Sequence, residues 1–121
     1  MTGTPQDAAS PPPISEAVFQ ILLALADQER HGYGIMREVA ERTAGRVRLG
    51  PGTIYGAIKR LCEQGLLEET EVEQGIGGDE RRRHYRLTRQ GREVAMLEAK
   101  RLEHLVAEAR GKNLLPRPVA T

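Results

Sequence analysis

Apolar residues first recur with a helical period just after Ile14. Val18, Ile21, Leu22 and Leu25 fall at i, i+3, i+4 and i+7, while Phe19, Leu23 and Ala26 widen the arc beyond what one small core requires. Ser15 stands where an N-cap belongs, with Ile14 and Phe19 spaced as a hydrophobic staple, so a first helix is expected from there to about Asp27. The stretch HGYG, His31 to Gly34, breaks the chain before a second helical pattern. There Ile35, Met36, Val39 and Ala40 share one face, Arg37, Glu38, Glu41 and Arg42 take the other, and Gly45 ends the run. A third helix is expected over Pro51 to Gln64, because proline suits a first turn and Ile54, Ile58 and Leu61 form an apolar stripe. Gly65 suits the left-handed position past its end, and Leu61 and Leu66 are spaced for the apolar contact of a Schellman motif.

The pattern then changes. Leu66 to Gln74 and Arg81 to Leu87 read as two strands around the glycine-rich loop Gly75 to Glu80, a β-hairpin. Thr88 is placed to cap a last, long helix, along which Ala95, Ala99, Leu102, Val106 and Ala109 step four, three, four, three. The flanks differ in kind. Met1 to Pro13 is small, polar and proline-rich and is expected to be a disordered tail, and Lys112 to Thr121, with Pro116 and Pro118, a flexible one. The fold expected is mainly α with a small β-hairpin. Residues 14–87 form a winged helix-turn-helix, followed by a C-terminal helix over 88–111. The usual work of that fold is to hold duplex DNA.

Charge sharpens this picture through its distribution. Lys and Arg number 18 against 17 Asp and Glu, a net charge of +1 that implies no anionic partner by itself. Yet Arg30 to Arg60 holds seven basic residues and two acidic, Leu61 to Glu80 seven acidic and no basic, and Arg81 to Arg92 six arginines alone. Cys62 is the only cysteine, which excludes an intrachain disulfide and a cysteine-based zinc site and fits a reducing compartment. No apolar run reaches the ~18 residues of a membrane span, and the start lacks a signal-peptide pattern, so no membrane association and a cytoplasmic location are expected.

The candidate chemistry lies on the third helix. Opposite its apolar stripe stand Gly52, Thr53, Tyr55, Gly56, Lys59 and Arg60, a face that can lie in a major groove. Free N–H groups at Gly52 and Thr53 can meet a phosphate, the Tyr55 hydroxyl can donate to another, and Lys59 or Arg60 can reach a guanine edge. Gly56, costing ~1 kcal/mol against alanine in a helix, suggests a bulky neighbour close by. A nucleotide phosphate loop is excluded by context, since Gly50, Gly52 and Gly56 lack the following Lys-Ser/Thr and the stretch before them is too short and charged for a buried strand. On the wing, Arg82 and Arg86 face Glu69, Glu71 and Glu73 as cross-strand pairs or face DNA; Arg81 and Arg83 suit a minor groove or its phosphates. Tyr85 reads as core. His31, His84 and His104 are far apart in sequence, and no Ser, His and carboxylate grouping occurs, so no metal, cofactor or catalytic site is expected.

Three stretches together, HGYGI at His31 to Ile35, LGPGTIYGAIKRLCEQGLL at Leu49 to Leu67 and RRRHYRLTRQGR at Arg81 to Arg92, resemble the PadR-like transcriptional regulators. The likeness runs from about Ile14 to about Arg110. It implies a homodimeric winged-helix repressor on a pseudo-palindromic operator in double-stranded DNA. Tyr33, Thr53, Tyr55, Lys59 and the wing arginines Arg81, Arg82 and Arg83 would then lie near DNA, and the last helix would be a dimerisation helix crossing to the second subunit. Tyr33 also reads as a half-buried core tyrosine. Val18, Phe19 and Leu22 on the first helix and Ala99, Leu102 and Val106 on the last would form the dimer interface. Some relatives hold a small-molecule effector there, although a chain with no tryptophan and one phenylalanine offers such a ligand little to stack on. Gly56 stands where the family often has proline and Ile58 where it often has leucine, and the single helix after the wing marks the family's short branch. The alternative is a winged-helix module that binds protein through its apolar first and last helices and does not bind DNA.

Overall fold

The structure, a computed structural model, describes residues 13–70 and 83–117. Among these residues four helices surround a small antiparallel sheet: α1 (Glu16–Ala24), β1 (Arg30–His31), α2 (Gly32–Arg42), α3 (Pro51–Glu63), β2 (Leu67–Thr70), β3 (His84–Leu87) and α4 (Arg89–Gly111). The expected first tail, the loop from Gly75 to Glu80, and Arg81 and Arg82 lie outside the described residues.

The caps fall where side-chain chemistry puts them. Ser15 Oγ accepts from the Val18 N–H at 3.1 Å and Thr88 Oγ from the Gly91 N–H at 3.0 Å. α1 ends at Ala24, short of Asp27, in a tightened turn in which the Leu25 and Ala26 N–H groups donate to Leu22 O and Leu23 O, both at 3.1 Å. Arg30 Nε donates to Ala24 O at 2.7 Å and Arg92 Nη2 to Ala26 O at 3.0 Å. α3 closes in the expected Schellman motif: Gly65 has φ +80°, the Leu66 N–H donates to Leu61 O at 2.9 Å, and the Gly65 N–H donates to Cys62 O at 3.0 Å.

Two local readings change. His31 to Gly34 does not break the chain but starts α2, since His31 Nδ1 accepts from the Gly34 N–H at 2.9 Å and caps the helix. The hairpin is also one part of a three-stranded sheet in the order β1-β3-β2. β1, two residues long, pairs Arg30 with Tyr85 and His31 with His84. Across β3, Leu67 faces Leu87 and Glu68 faces Arg86.

Helices α1, α2 and α3 and the sheet share one core. Ile21, Leu22, Ile35, Val39 and Ile54 have no exposed surface, and Ile58, Leu61, Leu67 and Tyr85 complete it. Burying a side chain of this size contributes about 1.5–3 kcal/mol, so α3 is held mainly by its inner stripe. α4 joins that core only with its first half, through Val94 and Ala95. Glu98, the one buried charged residue among those described, holds Arg101 with Nη2 to Oε2 at 2.6 Å. The Arg101 guanidinium keeps the Glu98 carboxyl below the usual carboxylate range. Beyond Glu98, among the described residues, Leu105 and Val106 are 46% and 37% exposed. At its end the Leu114 N–H donates to Ala109 O at 2.9 Å, with Asn113 at φ +66°, so the stretch just past Lys112 is an ordered turn.

Candidate nucleic-acid interface

The third helix presents the two faces its sequence implies. Ile54, Ala57, Ile58 and Leu61 are buried, while Gly52, Thr53, Tyr55, Lys59 and Arg60 are exposed and Gly56 is partly so. Gly50 occupies the N-cap position and supplies no side-chain acceptor. The first-turn N–H groups behind it therefore point outward uncapped, at the positive end of the helix dipole.

Tyr55, 47% exposed, lies across the start of α2. A Cβ on Gly32 would sit 2.5 Å from Tyr55 Cε1, so the glycine of HGYG is the seat of this ring. Tyr33, the next residue, is 54% exposed and stacks on His31 with ring centroids 6.4 Å apart, which sets aside the core reading of that tyrosine. The first turn of α2 and the middle of α3 thus border one surface. Gly52 has nothing of its own chain near a notional Cβ, and at Gly56 the nearest atom is Arg60 Nη1, at an ordinary 3.6 Å. Neither glycine is demanded by internal packing; the room they leave opens outward.

Charge on this surface is unspent. Among the described residues Lys59 and Arg60 have no ion pair, and neither have Arg46 and Arg48 on the segment leading into α3. Those last two were not singled out from the sequence, though the acid-free run from Thr43 to Cys62 carries the signal. The wing differs. Arg83, expected to be available to a minor groove, has Nε 3.1 Å from Glu69 Oε2, and Arg86 has Nε 2.7 Å from Glu68 Oε2. For Arg86 the expected pairing with Glu69, Glu71 or Glu73 gives way to the observed register, in which Glu68 stands opposite it; Arg82, Glu71 and Glu73 lie outside the described residues. The hydrogen bond from Arg86 to Glu68 pushes the guanidinium up from its ordinary value, so its charge is fixed. Burial pushes the Tyr85 hydroxyl up as well, consistent with its place in the core.

Two further expectations need correction. Leu22 has no exposed surface and belongs to the chain's own core, so it is not free for a dimer interface; Leu23, 36% exposed, occupies the outer side of α1 instead. Val18 and Phe19 are half-buried, and Ala99, Leu102 and Val106 line a shallow apolar depression on α4. His31 and His84 are not apart: β1, invisible to periodicity, sets their rings edge to face at 5.3 Å, with His84 Nδ1 buried and unpartnered. Among the described residues no group of three or more His, Cys, Asp or Glu is placed to hold a metal, and no helix is long and apolar enough to cross a membrane.

Comparison with known proteins agrees with this geometry. The chain is 40% identical over 91 residues to an uncharacterized 37.1 kDa protein in transposon TN4556 of Streptomyces fradiae, a match covering 75% of this chain and 24% of that protein. It therefore spans about a quarter of that relative's length. It is 35% identical over 93 residues to the transcriptional regulator Rv3488 of Mycobacterium tuberculosis, covering 77% of this chain and 81% of that one. Among solved structures, a PadR family transcription regulator from Clostridium difficile R20291 superposes with a TM-score of 0.64 at 29% identity, covering 84% of this chain and all of that one. Such regulators are not enzymes. The model of the transcriptional regulator PadR-like family matches residues 21–96, well over half of the chain, and the chain belongs to that family.

Proposed function

We propose that the protein is a sequence-specific DNA-binding repressor, acting in the cytoplasm as a homodimer on a pseudo-palindromic operator. One observation carries the reading: Thr53, Tyr55, Lys59 and Arg60 stand exposed on a helix whose opposite stripe is sealed in the core. A rigid helix with uncapped N–H groups at one end and two unpaired cations near the other matches the phosphate and base-edge pattern of a major groove. Tyr33 and the unpaired Arg46 and Arg48 supply further phosphate contacts at the margins, and Arg81, Arg82 and Arg83 belong to the wing's approach to the minor groove.

The second copy covers the apolar side of α4 that the chain leaves open, around Ala99, Leu102 and Val106, together with Val18 and Phe19 on α1. Two α3 helices would then enter successive major grooves with half-sites about one turn apart, ~34 to 36 Å. A small-molecule effector seated between the protomers would act by changing the separation of the two reading helices.

Selection of bound sequences from random duplexes, run beside a mass measurement in solution, tests the proposal. The expected result is a two-fold symmetric motif, a dimer mass, and an affinity that falls by about 10³-fold or more between roughly 50 and 200 mM salt as counterions are released. No duplex affinity at low salt, with capture of a protein partner by α4 instead, would establish the interaction-module reading in its place.

A further inference from the structure

The C-terminal end of α3 and the N-terminal end of α4 meet backbone to backbone. The Schellman turn after α3 leaves the carbonyls of Gly65 and Leu66 pointing out of the turn, and both are taken by the residue that opens α4. Thr88 Oγ donates to Gly65 O at 2.6 Å, and the Thr88 N–H donates to Leu66 O at 3.0 Å. The same Oγ accepts from the Gly91 N–H at 3.0 Å, which makes it the N-cap of α4. No side chain cushions the contact. Gly91 is buried, and a Cβ there would lie 2.0 Å from Leu66 O; one on Gly65 would lie 3.2 Å from Gln90 Oε1.

One hydroxyl thus does two separable jobs. As an acceptor it caps α4, a task several residue types perform. As a donor to Gly65 it fastens α4 to the turn that ends α3, and this task requires a hydrogen on the side chain. Further along, Arg92 Nη2 donates to Ala26 O at 3.0 Å and Val94 and Ala95 pack against the core. Over this first half the helix is held, whereas beyond it, among the described residues, Leu105 and Val106 are exposed.

We infer that Thr88 is a positioning residue that fixes the angle between the reading helix α3 and the long helix α4, and through it the half-site spacing the protein accepts. This rests on the dimeric DNA-binding reading given above. The leverage follows from length. A helix of 23 residues is ~34 Å long, so a rotation of about 10° at its base moves its far end by roughly 6 Å. That exceeds the ~3.4 Å step between base pairs, so slack at the joint would blur the register of two reading helices joined through their α4 helices.

The test separates the two jobs in the full chain. Thr88→Ser keeps donor and acceptor; Thr88→Asp keeps the cap acceptor but cannot donate to Gly65; Thr88→Val loses both. Each is measured on a panel of the selected operator with the spacer between half-sites shortened or lengthened by one or two base pairs, beside solution mass and thermal midpoint. Wild type and Thr88→Ser should share one sharp spacing preference. In Thr88→Asp that preference should flatten by about 2- to 30-fold, the range of coupling changes in such networks, with the dimer mass retained. Thr88→Val should flatten it too, and if that variant does not fold, the aspartate decides. A folded, dimeric Thr88→Asp protein with the wild-type spacing profile overturns the inference and leaves Thr88 only a helix cap, as does a wild type that binds DNA without regard to spacing. A wild type that binds no duplex instead sinks the functional reading beneath it.

Discussion

Helix α3 and strand β3 both carry cations toward solvent, yet their charges differ in what they can do. Among the described residues Lys59 and Arg60 have no ion pair, and the sequence from Thr43 to Cys62 contains no acidic residue. Arg83 and Arg86 sit opposite β2, which supplies Glu69 and Glu68 at 3.1 and 2.7 Å. An arginine with a carboxylate beside it must give up that neighbour before it gains a phosphate, and the exchange returns little. Density of basic residues along a sequence is therefore a poor guide to a nucleic-acid surface; what stands across from each one decides. Among the described residues, the wing's Arg83 and Arg86 are paired and the helix's Lys59 and Arg60 are not.

The strongest way to break this contrast is to remove the footing of α3. Ile54 has no exposed surface and lies directly behind Thr53 and Tyr55, so Ile54→Ala should cost about 2–5 kcal/mol of stability, read from urea unfolding. A loss under about 1 kcal/mol would mean the inner stripe does not anchor the helix. Next comes the contrast in binding. Lys59→Ala should weaken operator affinity by about 5- to 150-fold, the worth of one good polar contact to DNA. Arg86→Ala should change it by less than about threefold, since an exposed, paired cation gives up little on removal. Equal losses in the two variants would erase the distinction.

A gain of function sharpens it further. Replacing Glu68 and Glu69 together by glutamine removes the two carboxylates that hold Arg86 and Arg83 while preserving shape. Duplex affinity at low salt should then rise a few-fold, and the slope of log affinity against log salt should steepen by about 0.9 for each arginine that reaches a phosphate. An unchanged slope would place these arginines away from DNA whatever their pairing.

Helix α3 was legible because 13 residues give a 3.6-residue period room to repeat, and its ends carry strong local chemistry in Pro51 and Gly65. Ser15 and Thr88 were legible for the same reason, each bonding an N–H three residues ahead. β1 was not. Two residues have no period, and their partners, Tyr85 and His84, lie on the far side of α3 in the sequence. The meeting of His31 with His84 was hidden with it. Register defeated the pairing of Arg86, because a shift of one residue exchanges every cross-strand neighbour and the observed one sets Glu68 opposite it. Leu22 failed for a different reason. An apolar arc wider than one core shows that a helix has surplus surface but not which residues the core takes first, and the core took Leu22 and left Leu23.

The smallest effect joins the two regions through Cys62, which sits on α3 beside its buried stripe. Burial pushes the thiol up from its ordinary value, and the carboxylates of Glu69 and Glu63 push in the same direction, Glu69 the more strongly. A folded-state value above that of the free thiol means the folded protein holds this proton longer. Alkylation should therefore be slower than in the urea-unfolded chain at neutral pH and rise steeply only beyond the ordinary thiol range near ~8.5. By the same sign, whatever stability the protonated thiol lends is present below that range and declines as pH climbs through the folded value. Glu69→Gln should then do two things at once, speeding alkylation about two- to threefold as the nearby negative charge is lost and releasing Arg83 for DNA. Glu63→Gln should give a smaller acceleration and no change in DNA binding, because Glu63 holds no arginine among the described residues. If both variants react at the wild-type rate, burial alone governs the thiol, and Glu69 touches the wing without reaching the back of α3.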